Sequence, residues 1–240
     1  MNTDGFSIIT VTSRRFCIDN LIQNYLIQNF KHKELIIIIN NDSIPMSNFN
    51  KYTSLYENIN VYKLPEKITL GECLNFGINK SNFNYIAKFD DDDYYGPYYL
   101  DEAYNIFSNY DCEVVGKYKT FSYFEKFNKL MLLKDEIENT YTNTIMGSTI
   151  CFNKYIVEKV QFRHVSIKED YLFSNDCLNN GYKLFASSRF NHIVFKHADN
   201  NKHTFKSNIS LLIKRCVNIK SDISFNGCFD FVNKEVVSRI

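Results

Sequence analysis

"NYIAKFDDDDYYGP", residues Asn84 to Pro97, decides how this chain is read. Its first six residues, Asn84–Phe89, form a short apolar run suited to a buried strand. The run leads directly into four adjacent aspartates, Asp90 to Asp93. Carboxylates this close repel one another, so the cluster needs a local reason. One reason is a solvated acidic turn before the helix that Gly96-Pro97 starts, where the helix dipole favours negative charge. Another is a calcium loop, with Asp91, Asp93, Gly96 and Glu102 at ligand positions of an EF-hand pattern. Against it, Tyr95 fills a position that needs an oxygen donor, and a strand enters the loop. The third is a divalent cation held by one or two carboxylates, with phosphate oxygens completing its shell.

The segments on either side set the context. "FSIITV" (Phe6–Val11), "ELIIIIN" (Glu34–Asn40) and "NINVYKL" (Asn58–Leu64) read as strands, the second apolar on both faces like a central parallel strand. Between them, Cys17, Leu21, Tyr25 and Ile18, Ile22, Leu26 repeat at helical spacing. "TLGECLNFGINK" (Thr69–Lys80) is a helix capped by Thr69, with Glu72 at the capping-box position. A further helix runs from Gly96-Pro97 to about Tyr110. Such alternation implies a mainly parallel sheet with helices on both faces.

Beyond it, "CEVVGKYKTFSYF" (Cys112–Phe124), "KLMLL" (Lys129–Leu133) and "GSTICF" (Gly147–Phe152) predict antiparallel strands. A helix over Lys168–Asn180 ends at Gly181. Strands at Tyr182–Ala186 and His192–Phe195 and a helix over Ile209–Val217 complete the pattern. No repeat, linker or Pro/Gly-rich boundary divides the chain, so a single domain is expected over residues 1–240.

Composition narrows the function. The 240 residues include 45% hydrophobic side chains, enough for a packed core rather than a disordered chain. A formal net charge of +1 with no basic cluster argues against a nucleic-acid partner. Seven cysteines, an odd number without a C-x-x-C pair, read as buried thiols in a reducing compartment. "MNTDGFS" lacks the pattern of a secretory signal, and "LIIII" (Leu35–Ile39) is too short to span a bilayer. A cytoplasmic protein without a transmembrane segment is expected, with peripheral membrane contact left open.

Ligands of open α/β sheets bind beyond the carboxyl ends of the strands. Here those ends carry Thr12-Ser13-Arg14-Arg15, Asn40-Asn41-Asp42-Ser43 and Asp90 to Asp93. With these segments, "LGECLNFGINKSNFNYIAKFDDDDYYGP" and the later "KEDYLF", the chain resembles the family 2 glycosyltransferases in order and approximate spacing over Phe6 to Phe205. The resemblance implies the GT-A fold, a Rossmann-like mixed sheet with a smaller antiparallel acceptor-side part. The nucleotide-binding half would be residues 1–110, the acceptor half 111–205 and a tail 206–240.

The same resemblance assigns roles to residues. Thr12 would line the nucleobase pocket with Arg14 nearby, and Asn40 stands where the family usually has a base-binding Asp. Gly71 would allow close approach to the nucleotide, and Asn75 would support the site. Leu74 replaces an Arg common in the family, so one cationic contact is missing. Asp90 and Asp91 would face the ribose, and Asp92 would ligate Mn2+ or Mg2+. His197 or His203 would complete the metal shell, Gly147 would lie near the sugar, and Asp170 would be the catalytic base. Helical spacing, not the resemblance, points the neighbouring Glu169 elsewhere.

The chemistry is coherent with that reading. Displacing a nucleoside diphosphate from an anomeric carbon needs a cation on the leaving diphosphate. The incoming hydroxyl, on a glycan or a small molecule, needs a carboxylate to take its proton. One base opposite the leaving group implies inversion, and the usual context of the family is polysaccharide or glycan synthesis. A sugar nucleotidyltransferase would want a glycine-rich loop where this chain has "TSRRF". A non-catalytic nucleotide-sugar-binding module remains the alternative outside enzymes.

Overall fold

A computed structural model of the chain describes residues 4–134, 137–199 and 209–235. In chain order the first half contains β1 (Phe6–Thr12), α1 (Ile18–Leu26), β2 (Lys33–Ile39), α2 (Asn50–Thr53), β3 (Ile59–Lys63), α3 (Leu70–Lys80), β4 (Tyr85–Lys88), β5 (Tyr94–Tyr95) and α4 (Tyr99–Asn109). The second half adds β6 (Val114–Gly116), β7 (Phe121–Phe124), β8 (Lys129–Leu133), β9 (Thr140–Thr142), β10 (Cys151–Asn153), α5 (Glu169–Asn179), β11 (Leu184–Ala186), β12 (His192–Lys196), α6 (Ile209–Lys214), β13 (Cys216–Ser221) and α7 (Phe229–Val232).

The isoleucine run of β2 explains the layering. Alternate side chains of a strand point to opposite faces. Leu35, Ile37 and Ile39 pack with Leu21 and Ile22 of α1 and Leu100 and Ile106 of α4. Ile36 and Ile38 pack on the other face with Cys73 and Ile78 of α3 and Phe173 and Cys177 of α5. The result is a helix–sheet–helix sandwich around an eight-stranded sheet of order β3-β2-β1-β4-β10-β6-β11-β9. Strands β3, β2, β1 and β4 are parallel, while β10 runs antiparallel to both β4 and β6. A mainly parallel mixed α/β sheet is therefore what the alternation predicts, and the ends of β1, β2 and β4 meet at one edge.

A second sheet, β13-β8-β7-β12-β5, packs its own cluster of Tyr94, Phe121, Leu130, Leu132 and Ile193. Three expectations change here. The stretch Cys112–Phe124 is two strands in different sheets, because the Lys117 backbone N–H bonds the Thr149 hydroxyl at 2.8 Å and its ammonium is drawn to Glu102, also at 2.8 Å. That leaves the first ladder at Gly116. The helix expected over Ile209–Val217 stops at Lys214, and Cys216–Ser221 pairs antiparallel with β8 instead. Tertiary pairing overrides the local helical pattern there. The helix expected from Gly96-Pro97 begins at Tyr99, since Tyr94 and Tyr95 are taken by pairing with β12. Elsewhere the local rules hold: Thr69 and Glu72 form the capping box of α3, and Gly181 follows α5 at φ +82°.

Candidate active site

The four aspartates occupy the turn between β4 in the first sheet and β5 in the second, and each carboxylate has a different neighbourhood. Arg14, just past β1, donates to Asp92 at 2.7 Å and ion-pairs with Asp91. Asp91 also accepts the Thr12 hydroxyl at 2.6 Å. Asp90 accepts from the Lys88 ammonium at 2.5 Å. Asp93 turns inward, accepting the Phe195 N–H at 3.0 Å with the His192 imidazole 3.6 Å away. Burial, with the negative charges of Asp92 and Asp90, raises the Asp93 carboxyl well above the usual range. Mutual repulsion is thus relieved by two cations and by one carboxyl that resists ionisation.

Helix α1 holds the turn from below. Asn20 donates to the carbonyls of Asp91 and Asp93 at 2.8 and 2.9 Å, Asn24 to that of Asp93 at 2.8 Å, and Gln28 to those of Tyr95 and Gly96 at 3.0 Å. Asn20 and Asn24, four residues apart, share one face of α1, and Gln28 follows just past the end of the helix; together they satisfy backbone that the turn would otherwise bury unpaired. These contacts replace the calcium-loop reading: Asp91 and Asp93 are engaged inside the protein, and Glu102 is paired with Lys117.

A cavity of about 630 Å3 opens above the turn, within the range of small-molecule sites. Its walls bring together Arg14, Asn40, Asp90, Asp91, Asp92, Gly147 and Asp170 from the sequence expectation, along with Lys88, Lys168 and Glu169. Asp91 lies 2% exposed, and its carboxylate is held by Arg14 and Thr12. Thr12 is 1% exposed and acts on Asp91. Asn40 donates to the Pro65 carbonyl at 2.9 Å.

Gly71 and Asn75 sit behind this wall. A Cβ on Gly71 would lie 1.9 Å from the Arg163 carbonyl, so the close approach there is to the protein's own chain. Asn75 clasps the Phe162 backbone with bonds of 2.8 and 3.0 Å. Both fasten the segment that leads into α5.

That segment delivers the second pair of carboxylates. Lys168 adopts the left-handed conformation, φ 66° and ψ 17°, costly for a residue with a Cβ, and α5 starts immediately after it. Asp170 lies against Gly147 so tightly that a Cβ on Gly147 would sit 1.4 Å from its Oδ2. Its Oδ1 accepts the Tyr171 N–H at 2.7 Å. Glu169, expected to point elsewhere, lines the same cavity and is 6% exposed. Burial pushes its carboxyl up to about 7, with Lys88 opposing and Asp170 assisting.

For a cation, the fit lies between Asp92 and His197. The Asp92 Oδ2 and His197 Nε2 stand 3.7 Å apart, and both side chains are largely buried; the same Oδ2 accepts from Arg14 at 2.7 Å, so a cation there would share this oxygen with the guanidinium or displace it. Donor atoms sharing one first-row cation are roughly 3–4 Å apart, so carboxylate and imidazole suit such an ion. Among the described residues no group of three or more His, Cys, Asp or Glu side chains forms a fuller cage, which leaves further positions to a ligand's oxygens. His203 lies outside the described residues.

Sequence reasoning missed Lys88, His192 and the amides of α1. A lysine inside an apolar strand was the available signal, because a buried ammonium needs a partner. His192 is fully buried, with Thr120 at 3.1 Å and Ser148 at 3.5 Å, and burial with the charges of Lys117 and Lys88 holds it well below the usual imidazole range.

A mainly parallel sheet with two reversed strands, β10 and the edge strand β9, acidic side chains at its carboxyl edge and a second sheet beside them define the GT-A class of nucleotide-sugar-handling folds. Residues 8–160 match the model of the family described as glycosyl transferase family 2. The chain belongs to that family. No curated protein sequence matches it significantly. Among solved structures it is similar to residues 1–349 of S. aureus TarS in complex with UDP-GlcNAc, at TM-score 0.65 and 14% identity over 84% of this chain and 62% of that one. The same protein in complex with UDP gives 0.61 and 18% over 80% and 60%. The mannosyltransferase PcManGT from Pyrobaculum calidifontis, in complex with GDP-Man and Mn2+, gives 0.60 and 11% over 82% and 58%. This chain therefore spans about three-fifths of the length of these structures. No helix among the described residues is long and apolar enough to cross a membrane.

Proposed function

We propose that this chain transfers a sugar from a nucleotide-diphosphate donor to a hydroxyl group, with inversion at the anomeric carbon and with a divalent cation. The observation that carries this reading is the convergence of Asp90, Asp92, Gly147 and Asp170 on one cavity. The two ends of a displacement reaction need opposite kinds of help, and this cavity offers both. At the end of β4, Asp92 and His197 would hold the cation, which when bound supplies positive charge to the leaving diphosphate. Arg14 and Asn40 would line the nucleotide end, and Asp90 would accept a donor hydroxyl. Across the cavity, Asp170 would take the acceptor's proton as the new bond forms. Its Oδ1 is fixed by the Tyr171 N–H and its Oδ2 faces the Gly147 turn, so the carboxylate is held rather than left to swing. That TarS and PcManGT were solved with nucleotide sugars supports a donor of this class.

Asp170→Asn tests the reading. The amide is nearly isosteric but takes no proton, so release of nucleoside diphosphate in the presence of acceptor should fall by roughly 10²–10⁴-fold. Donor binding should persist, because Asp170 lies on the acceptor side. Parent-level transfer by this variant would remove Asp170 from the mechanism. An absence of donor binding by the parent across a panel of nucleotide sugars with Mn2+ would overturn the function itself.

A further inference from the structure

Lys88 has no assigned role, yet it is an unusual investment for a strand. Its side chain is 6% exposed, between Ala87 and Phe89 in a run that an apolar residue would fill at lower cost. Three elements converge on its ammonium. It donates to Asp90 Oδ1 at 2.5 Å, on the metal-and-nucleotide side, and to the Gly147 carbonyl at 3.3 Å, in the turn that abuts Asp170. The charges of Glu169 and Asp170, at the start of α5, reach it as well and hold it protonated despite its burial.

A second link runs parallel to the first. The Asp90 N–H donates to the Tyr95 hydroxyl at 2.8 Å, and that hydroxyl donates to the Ser148 carbonyl at 2.5 Å. Tyr95 is itself wedged between Phe89, stacked at 3.7 Å, and Tyr99. Two buried side chains thus join Asp90 to the Gly147-Ser148 turn. Only Lys88 brings charge to that junction.

Building on the reading of this cavity as a glycosyl-transfer centre, we propose that Lys88 is a positioning residue. It fixes the separation between the donor-side carboxylate Asp90 and the acceptor-side pair Glu169–Asp170, and supplies the positive charge against which that pair works. The charged groups that act on Glu169 are Lys88 from β4, Asp90 from the turn after it and Asp170 beside it on α5, while Lys168, just before it in the chain, lines the same cavity. Lys88 is the cation that opposes the rise of its carboxyl. Its loss leaves three carboxylates facing one another, so the Glu169 proton is held to higher pH.

The test compares the whole parent chain with Lys88→Met and Lys88→Arg. One readout needs no substrate: the titration of the Glu169 carboxyl carbon by NMR, assigned through Glu169→Gln. Its midpoint should rise by about one unit or more in Lys88→Met, the scale of losing a close opposite charge, and return toward the parent in Lys88→Arg. The other readout is transfer. In Lys88→Met, kcat should fall by about 10²-fold, the cost of misplacing reacting groups by about an ångström, with donor KM changed by less than about threefold. The acid limb of kcat should also move to higher pH, because the same positive charge is withdrawn from the whole carboxylate cluster, and Lys88→Arg should restore it.

A purely structural role would lower activity at every pH without moving either midpoint, and that outcome overturns the proposal. If Lys88→Met does not fold, Lys88→Gln replaces it with the same expectations. A parent that transfers no sugar from any donor, beside a Glu169 midpoint that still moves with Lys88, would overturn the catalytic assignment while locating the error in the function rather than in the charge coupling.

Discussion

Replacing Glu169 with Gln should make the protein more stable, and by an amount that grows with pH. The side chain is 6% exposed, and burial raises its carboxyl from the ordinary 4.5 to about 7. The folded state therefore holds this proton more tightly than the unfolded chain. The stability it contributes is full below about pH 4.5 and is lost as pH rises through about 7. A shift from 4.5 to about 7 corresponds to a swing on the order of 3 kcal/mol. Glutamine imitates the protonated acid and does not titrate, so it avoids the swing. At about pH 4 parent and variant should unfold together, whereas at about pH 8 the variant should melt roughly 6–12 °C higher, given 2–4 °C per kcal/mol at this size. Thermal unfolding by circular dichroism at the two pH values is sufficient. An offset that does not change with pH, or a variant less stable at high pH, would refute the reasoning. The latter would mean that attraction to Lys88 outweighs the burial of the Glu169 charge.

Asp92→Ala should make nucleoside diphosphate binding indifferent to Mn2+, measured by calorimetry with and without the ion. Apo stability should fall by less than the roughly 3–5 kcal/mol typical of breaking a buried ion pair, because Arg14 keeps its partner Asp91. Gly147→Ala should cripple transfer about as severely as Asp170→Asn, since a Cβ 1.4 Å from Oδ2 forces the Asp170 carboxylate out of place. Nucleotide affinity should be retained, and the double variant should be hardly worse than either single one, the signature of two residues acting as a unit.

Much of the architecture could be read from periodicity because the first half obeys local rules. The β2 isoleucines advertise a strand buried on both faces, and Thr69 with Glu72 announces its own helix. What sequence concealed depended on partners far along the chain. Tyr94 and Tyr95 look like the approach to a helix until β12, about a hundred residues later, claims them. The division of labour within the Asp run was equally hidden. Four identical side chains carry no mark of which meets Arg14, which meets Lys88 and which is driven inward toward His192. Glu169 was judged from helical spacing alone, whereas the left-handed turn at Lys168 aims the start of α5 so that both neighbouring carboxylates reach the cavity.

The aspartate turn also works as a spacer of fixed length. Upstream, the Lys88 N–H is locked to Ile150 at 2.9 Å and the Phe89 N–H to Ile9 at 3.0 Å. Downstream, Tyr94 and Tyr95 are locked in register with Ile193 and His192. Because side chains alternate along a strand, one residue added or removed between these anchors would turn either the end of β4 or all of β5 inside out. The length of the turn is thus as tightly set as the partners of its side chains. Libraries that vary loop length here would return mostly unfolded protein, whatever residues they place in it.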